Sequence, residues 1–260
     1  MNTKKTGLSI LNSLFAIVIS LALLGCGSES EIDKIGDAQQ CLNEATSATA
    51  MNCVTKVDGM TTTGAYNIRC AAAFVREGFA NPTKYTSAFE TLKGQSGTAN
   101  FMGLISFSSA ANITTDSTNA NATFNDCYKA SAKGKTLISA FGFFSTSLMK
   151  FLSDAAPTAA SCKAPVQGLY NLNSCLTEAS TAQPMEVAKL GSSVEDPASG
   201  AGLVQSSIGS VIIATYNISC SGSGANKDLC NTLNTAITSG GAEPRAVFRA
   251  FFINSVKPPH

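Results

Sequence analysis

Apolar positions along this chain recur mainly at helical spacing. In "GLVQSSIGSVIIATYNISC", residues 202–220, Leu203, Val204, Ile208, Val211, Ile212, Thr215 and Ile218 fall on one stripe of a 3.6-residue period. Asp196-Pro197 ahead of it suits an N-cap and a first-turn proline, and "SGSG" after Cys220 suits a stop. "AYNIRCAAAFVREGF", 65–79, is alanine-rich with Gly78 near a C-terminal position, and "KTLISAFGFFSTSLMKFLSDAA", 135–156, predicts a buried helix ending before Pro157. Breakers fall at "VDGMTTTG", "ANP", "ITTDSTNANAT", "DAAPTAAS" and "SGGAEP", with 112–123 and 192–202 read as loops. The pattern predicts an all-α domain of about eight helices. The alternative is an α+β fold with a small sheet from Val211-Ile212-Ile213 and "FMGLISF".

The N-terminus has a different pattern. Lys4 and Lys5 are the only charges before Glu29, and Leu8–Leu24 is mostly aliphatic, softened by Ser9, Asn12, Ser13 and Ser20. A basic start and an apolar core form the pattern of an export signal. The run is short for a membrane span, which takes about 20 apolar residues. It ends Leu23-Leu24-Gly25-Cys26, which resembles the lipobox of bacterial lipoproteins. The resemblance covers residues 1–26. It implies that 1–25 is a signal peptide cut before Cys26, that the Cys26 sulfur carries diacylglycerol, and that the new amino group is acylated, with palmitate as the expected chain. Gly27 in place of Asp implies, by the same analogy, the outer membrane, facing the periplasm or the surface. Each buried methylene contributes ~0.8 kcal/mol, so two or three chains make a lasting anchor. Residues 26–36 then form a polar tether, and 37–260 a single domain.

Setting Cys26 aside leaves eight of nine cysteines: Cys41, Cys53, Cys70, Cys127, Cys162, Cys175, Cys220 and Cys230. An even number in an exported chain reads as a disulfide framework. No pair has the C-x-x-C spacing of a zinc site, and the one histidine is His260, at the last position, so no metal is expected. "CLNEATSATAM" (41–51) aligns with "CLTEASTAQPM" (175–185), and "AYNIRC" (65–70) with "TYNISC" (215–220). The repeat predicts two related helical hairpin units, about 37–80 and 171–225. It also predicts bridges Cys41–Cys70 and Cys175–Cys220, leaving Cys53, Cys127, Cys162 and Cys230 unassigned.

Basic and acidic residues number 18 and 17, and loss of Lys4 and Lys5 with the signal keeps the balance near neutral. Without a basic stripe, nucleic acid is not an expected partner. The histidine shortage argues against Ser-His-Asp, Cys-His and His-ligated metal chemistry. "GKT" at 134–136 lacks the earlier glycine of a phosphate loop, because Lys129 stands there. "SLMK", Ser147–Lys150, fits S-x-x-K without the other motifs of that chemistry. "GSG" at 222–224 suits a helix cap. Glu44 and Glu178 are equivalent in the repeats and read as solvent-facing, and Tyr66-Asn67 and Tyr216-Asn217 as shared packing. Phe141, Phe143, Phe144 and Phe151 read as core, with a lipid pocket as the alternative.

The expectation is therefore a membrane-anchored, non-enzymatic binding, adhesion or envelope-structural module without catalytic residues or cofactor. Its partners are the membrane, through its lipid, and an envelope or surface protein. The alternatives are a carrier of a hydrophobic small molecule or lipid and, less favoured, a hydrolase using carboxylates or Ser/Lys.

Overall fold

The computed structural model describes residues 30–81, 86, 88, 90, 97–166, 168–192, 200–220, 227–241 and 243–256. Cys26, Asp196-Pro197, the 222–224 turn and His260 lie outside them. The first described helix, α1 (Glu31–Glu44), opens on a capping box: the Asp33 N–H donates to Ser30 Oγ and the Ser30 N–H to the Asp33 carboxylate, each at 3.2 Å. It starts inside the segment expected to be a tether, although its first buried side chain is Ala38. A 3₁₀ helix, Ala50–Val57, follows, and then α2 (Thr63–Arg76).

Helix α2 is buried on two sides. Ala65, Ile68 and Ala72 join Ala38, Leu42, Ala50, Cys53 and Val57 in a small N-terminal core. Cys70 and Phe74 belong instead to the main core. At about 100° per residue, these two sets lie on nearly opposite faces of the helix.

The main core is built around α5 (Lys133–Ala155). Against it pack α3 (Gly97–Ile105), α4 (Ile113–Lys129), α6 (Leu172–Ala182) and α8 (Gly200–Thr215). A short α7 (Pro184–Leu190) links α6 to α8, whose end continues as π-helix through Tyr216–Cys220. Then come α9 (Lys227–Gly240), α10 (Pro244–Phe251) and a π-helical turn, Phe252–Val256. Pro244 occupies the first turn of α10, where its missing N–H costs nothing, and the Glu243 carboxylate caps the N–H groups of Arg245 and Ala246. Helices α8 and α10 meet at Gly209, where a Cβ would sit 1.7 Å from the Pro244 carbonyl oxygen. Both α5 and Ala201–Ile218 are long and apolar enough to cross a membrane, but Leu148, Met149 and Leu152 of α5 are fully buried, as in a core helix.

The domain is all-α and disulfide-stapled, with no strand among the described residues; 101–105 and 211–213 are helical. One expected loop is helix: 113–123 forms most of α4; of the other, 192–202, residues 200–202 open α8 and 193–199 lie outside the described residues. Asn112 Oδ1 accepts from the N–H groups of Thr114 and Thr115 at 3.1 Å, and the buried face runs Ile113, Asp116, Ala120, Thr123, Phe124, Cys127. Two polar side chains on that buried face disguise the period.

The bridges are Cys41–Cys53, Cys70–Cys127, Cys162–Cys175 and Cys220–Cys230, with Cα separations of 4.8 to 5.6 Å. All eight expected cysteines take part, but the pairs Cys41–Cys70 and Cys175–Cys220 do not form. Cys70 points to the face of α2 away from α1, so Cys41 meets Cys53 of the 3₁₀ helix while Cys70 meets Cys127 of α4. In the second copy, Cys175 turns back to Cys162 and Cys220 bridges forward to Cys230. The two segments thus differ in their staples, and in part of their packing: α1 lies on the Ala50–Val57 3₁₀ helix and on α2, whereas α6 packs on a 3₁₀ helix, Ala160–Cys162, and on α7, α5 and α3.

Candidate binding groove

The Phe-rich helix divides its rings between interior and surface. Phe141 and Phe144 are buried, with Phe141 edge-on to Phe101 (centroids 5.6 Å apart) and Phe144 edge-on to Phe251 (5.2 Å). These are favourable aromatic geometries, and they fill the centre with side chains. Phe143 and Phe151 are half-buried and line a groove between α4, α5 and α8.

One end of this groove is apolar. About 330 Å³ is bounded there by Phe143, Phe151, Leu203, Val204 and Ile208, and Leu203 is 57 % exposed. The adjoining end, about 440 Å³, is lined by Thr114, Thr118, Asn121 and Asn125 of α4 with Val211 of α8. Ser117, Phe143, Lys150 and Ser207 border both. Phe143 stacks on Phe124, with centroids 6.0 Å and ring planes 13° apart, which fixes the aromatic floor. Lys150 Nζ lies 2.6 Å from the Asp154 carboxylate one turn along α5, so the ionic pair of the groove is internally neutralised. Asn125 Nδ2 donates to the carbonyl oxygen and Oδ1 of Asn121, which orders that face of α4.

Other positions with suggestive sequence have structural surroundings. Thr136 of "GKT" donates its hydroxyl to the carbonyls of Cys127 and Ala132, and Lys135 donates to Asn67 Oδ1 at 3.2 Å. Burial holds the Lys135 ammonium below the ordinary lysine range. Ser147 and Lys150 both line the groove. Glu44 and Glu178 are not brought together as a pair. Glu44 lines a second, more charged groove of about 520 Å³ over Cys41–Cys53, with Asp37 and Lys56. Glu178 accepts from the Ser161 hydroxyl and N–H, which pulls its carboxyl below the usual value. Tyr66 carries the Arg69 guanidinium 4.6 Å above its ring, whereas Tyr216 packs against the main core. The two tyrosines therefore have different surroundings.

A buried polar cluster was not signalled by any motif. Glu77, with its side chain fully buried, accepts from the N–H groups of Ser108 and Ser109, the Ser109 hydroxyl and Arg76 Nε. Asp116 accepts from the N–H groups of Ala110 and Asn112 and from the Tyr170 hydroxyl. Together they pin the loop between α3 and α4, where Ala111 has φ 52°. Burial raises the Asp116 carboxyl above its ordinary value; the Ala110 N–H and Tyr170 hydroxyl oppose this, and nearby Glu77 adds to it. Burial and the same acids push the Tyr170 phenol far above its ordinary range. Because loop amides engage both carboxylates, the cluster is a positioning device for the α3–α4 turn.

Among the described residues, no group of three His, Cys, Asp or Glu side chains is placed to hold a metal ion. No model of a known protein family, no curated protein and no solved structure matches the chain. The groove presents hydroxyls, amides, an aromatic floor and one closed ion pair.

Proposed function

We propose that the chain is a lipid-anchored lipoprotein of the outer membrane whose helical domain is a non-enzymatic binding module of the cell envelope. The observation that carries this reading is the groove between α4, α5 and α8, an accessible concave surface with an apolar end and an uncharged polar end. The lipobox-like Leu23–Cys26 supports the anchor, and the first described helix begins at Glu31, a few residues beyond the proposed lipidation position. The carrier reading has less support. It needs the Phe-rich helix to line a cavity, and Phe141 and Phe144 pack instead against Phe101, Phe248 and Phe251.

A photoreactive residue at Ser207, inside the groove, tests the binding role in intact cells; the same residue at exposed Lys163 is the control. The proposal expects envelope adducts from 207 that are absent from 163. Identical patterns from both positions would overturn it. Native mass spectrometry of the protein in mild detergent separates the carrier, which would retain a stoichiometric lipid besides the covalent one.

A further inference from the structure

We infer that the groove binds an uncharged oligosaccharide, an assignment that rests on the binding reading above. Three features favour that ligand. First, the groove holds no net charge, since Lys150 and Asp154 neutralise each other at 2.6 Å, so neither an anionic nor a cationic ligand is selected. Second, Thr114, Ser117 or Thr118, Asn121 and Asn125 follow one another along α4 at intervals of three or four residues. They place a hydroxyl or amide at each helical turn, about 5.4 Å apart, close to the length of one pyranose unit. The hydrogen bonds from Asn125 to Asn121 leave the Asn121 side-chain N–H groups and Asn125 Oδ1 for a ligand.

Third, the floor beneath this ladder is aromatic. Phe143, held by stacking on Phe124, presents a ring on which the C–H face of a sugar can lie. The open shape matters here. An acyl chain in a groove open along its length keeps one side in water and forfeits much of the area term that drives lipid binding. A saccharide needs only one face against the protein, because its outer hydroxyls stay hydrated or bond through bridging water.

The test uses the full lipidated chain in a non-glycosidic detergent, titrated by calorimetry with saturation-transfer NMR as a second readout. The probes are neutral tetraoses of glucose and of N-acetylglucosamine, with a uronic-acid tetraose as the charged comparison. At least one neutral tetraose is expected to bind in preference to the charged one. Asn121→Ala should weaken it about tenfold through a lost hydrogen-bonding group, and Ser207→Trp should abolish binding by filling the groove. Both positions are solvent-exposed, so both variants should keep the parent thermal midpoint. The inference is overturned if neither neutral tetraose binds, if the uronic tetraose binds more tightly, or if Ser207→Trp binds as well as the parent. Absence of saccharide binding together with protein adducts from position 207 sinks this inference and leaves the binding reading standing; absence of both sinks both.

Discussion

The Cys70–Cys127 bridge lies in the main core and ties α4 to α2, the helix that borders both cores, and its removal is the most informative perturbation of the fold. It closes a sequence separation of 57, against 10 to 13 for the other three bridges. In the loop-entropy model the long bridge contributes about 4 kcal/mol and each short one about 3 kcal/mol. Cys70 and Cys127 are both fully buried, so replacing them with alanine also opens a small void, at a further cost of about 1 kcal/mol. The double variant Cys70→Ala/Cys127→Ala should therefore lose about 5 kcal/mol. A domain of this kind has about 5 to 15 kcal/mol in total, so the variant approaches the edge of folding.

The contrast is Cys41→Ala/Cys53→Ala, whose bridge lies within the small N-terminal core. Its loss should be smaller and local, because Arg69 still ties this region together. Arg69 donates to the Val57 and Met60 carbonyls and pairs with Asp126 of α4 at 3.5 Å. Urea unfolding followed by circular dichroism gives the two losses, and hydrogen exchange locates them. The Cys41/Cys53 variant should expose amides of α1 while those of α5 remain protected. A cost below about 1 kcal/mol for the Cys70/Cys127 variant, against the ~4 kcal/mol of its loop term, would refute this reasoning. So would a cost smaller than that of the Cys41/Cys53 variant.

Gly209→Ala drives a methyl group into the Pro244 carbonyl and should destabilise by about 3 kcal/mol through overpacking. Gly36→Ala, in α1 with no atom within 4 Å of the new Cβ, should stabilise by about 0.5 to 1 kcal/mol; thermal unfolding of the two reads opposite signs. Ser161→Ala removes the hydroxyl that depresses the Glu178 carboxyl. Its stability deficit should therefore be full above the ordinary Glu value of 4.5 and vanish as pH falls through the folded-state value, as followed by denaturation across pH. Tyr170→Phe withdraws a donor from buried Asp116 and should cost about 1.5 to 3 kcal/mol where that carboxylate is ionised. Because burial already raises Asp116 and the lost hydroxyl opposed the rise, the deficit should grow as pH climbs through the Asp116 value and shrink in acid. A flat profile would contradict this role for the hydroxyl.

Helices α5 and α8 are legible in the sequence because large apolar residues dominate both, although α5 also buries Thr136, Ser139, Ser145, Thr146 and Ser153 and α8 buries Gln205 while exposing Leu203, and because Pro157 follows the end of α5. Helix α4 is not, because it buries Asp116 and Thr123 and exposes Thr and Asn, residues that ordinarily mark turns. Which cysteines form bridges follows from their even number, but the partners depend on which face of α2 carries Cys70. The matching sequence blocks align Cys41 with Cys175 and Cys70 with Cys220, but the two segments pack differently. In the groove, Phe143, Phe151, Ser147 and Lys150 stand out in sequence on α5. The contributions of α4 and of Leu203 emerge only once α4 is helical and α8 lies beside it. Glu77, Asp116 and Tyr170 leave no motif, since most of the donors to the two acids are backbone amides of one loop.

We propose that Cys26 anchors this domain to a membrane, while the other eight sulfurs close four bridges within it. Intact-mass and top-down analysis of the protein, purified from its membrane without reductant and treated with a thiol alkylator, tests both halves together. The account predicts a chain that begins at a diacylglyceryl, N-acylated Cys26 and takes up no alkylator. A chain that retains Met1, begins at any other residue, or alkylates at any of the eight would contradict it.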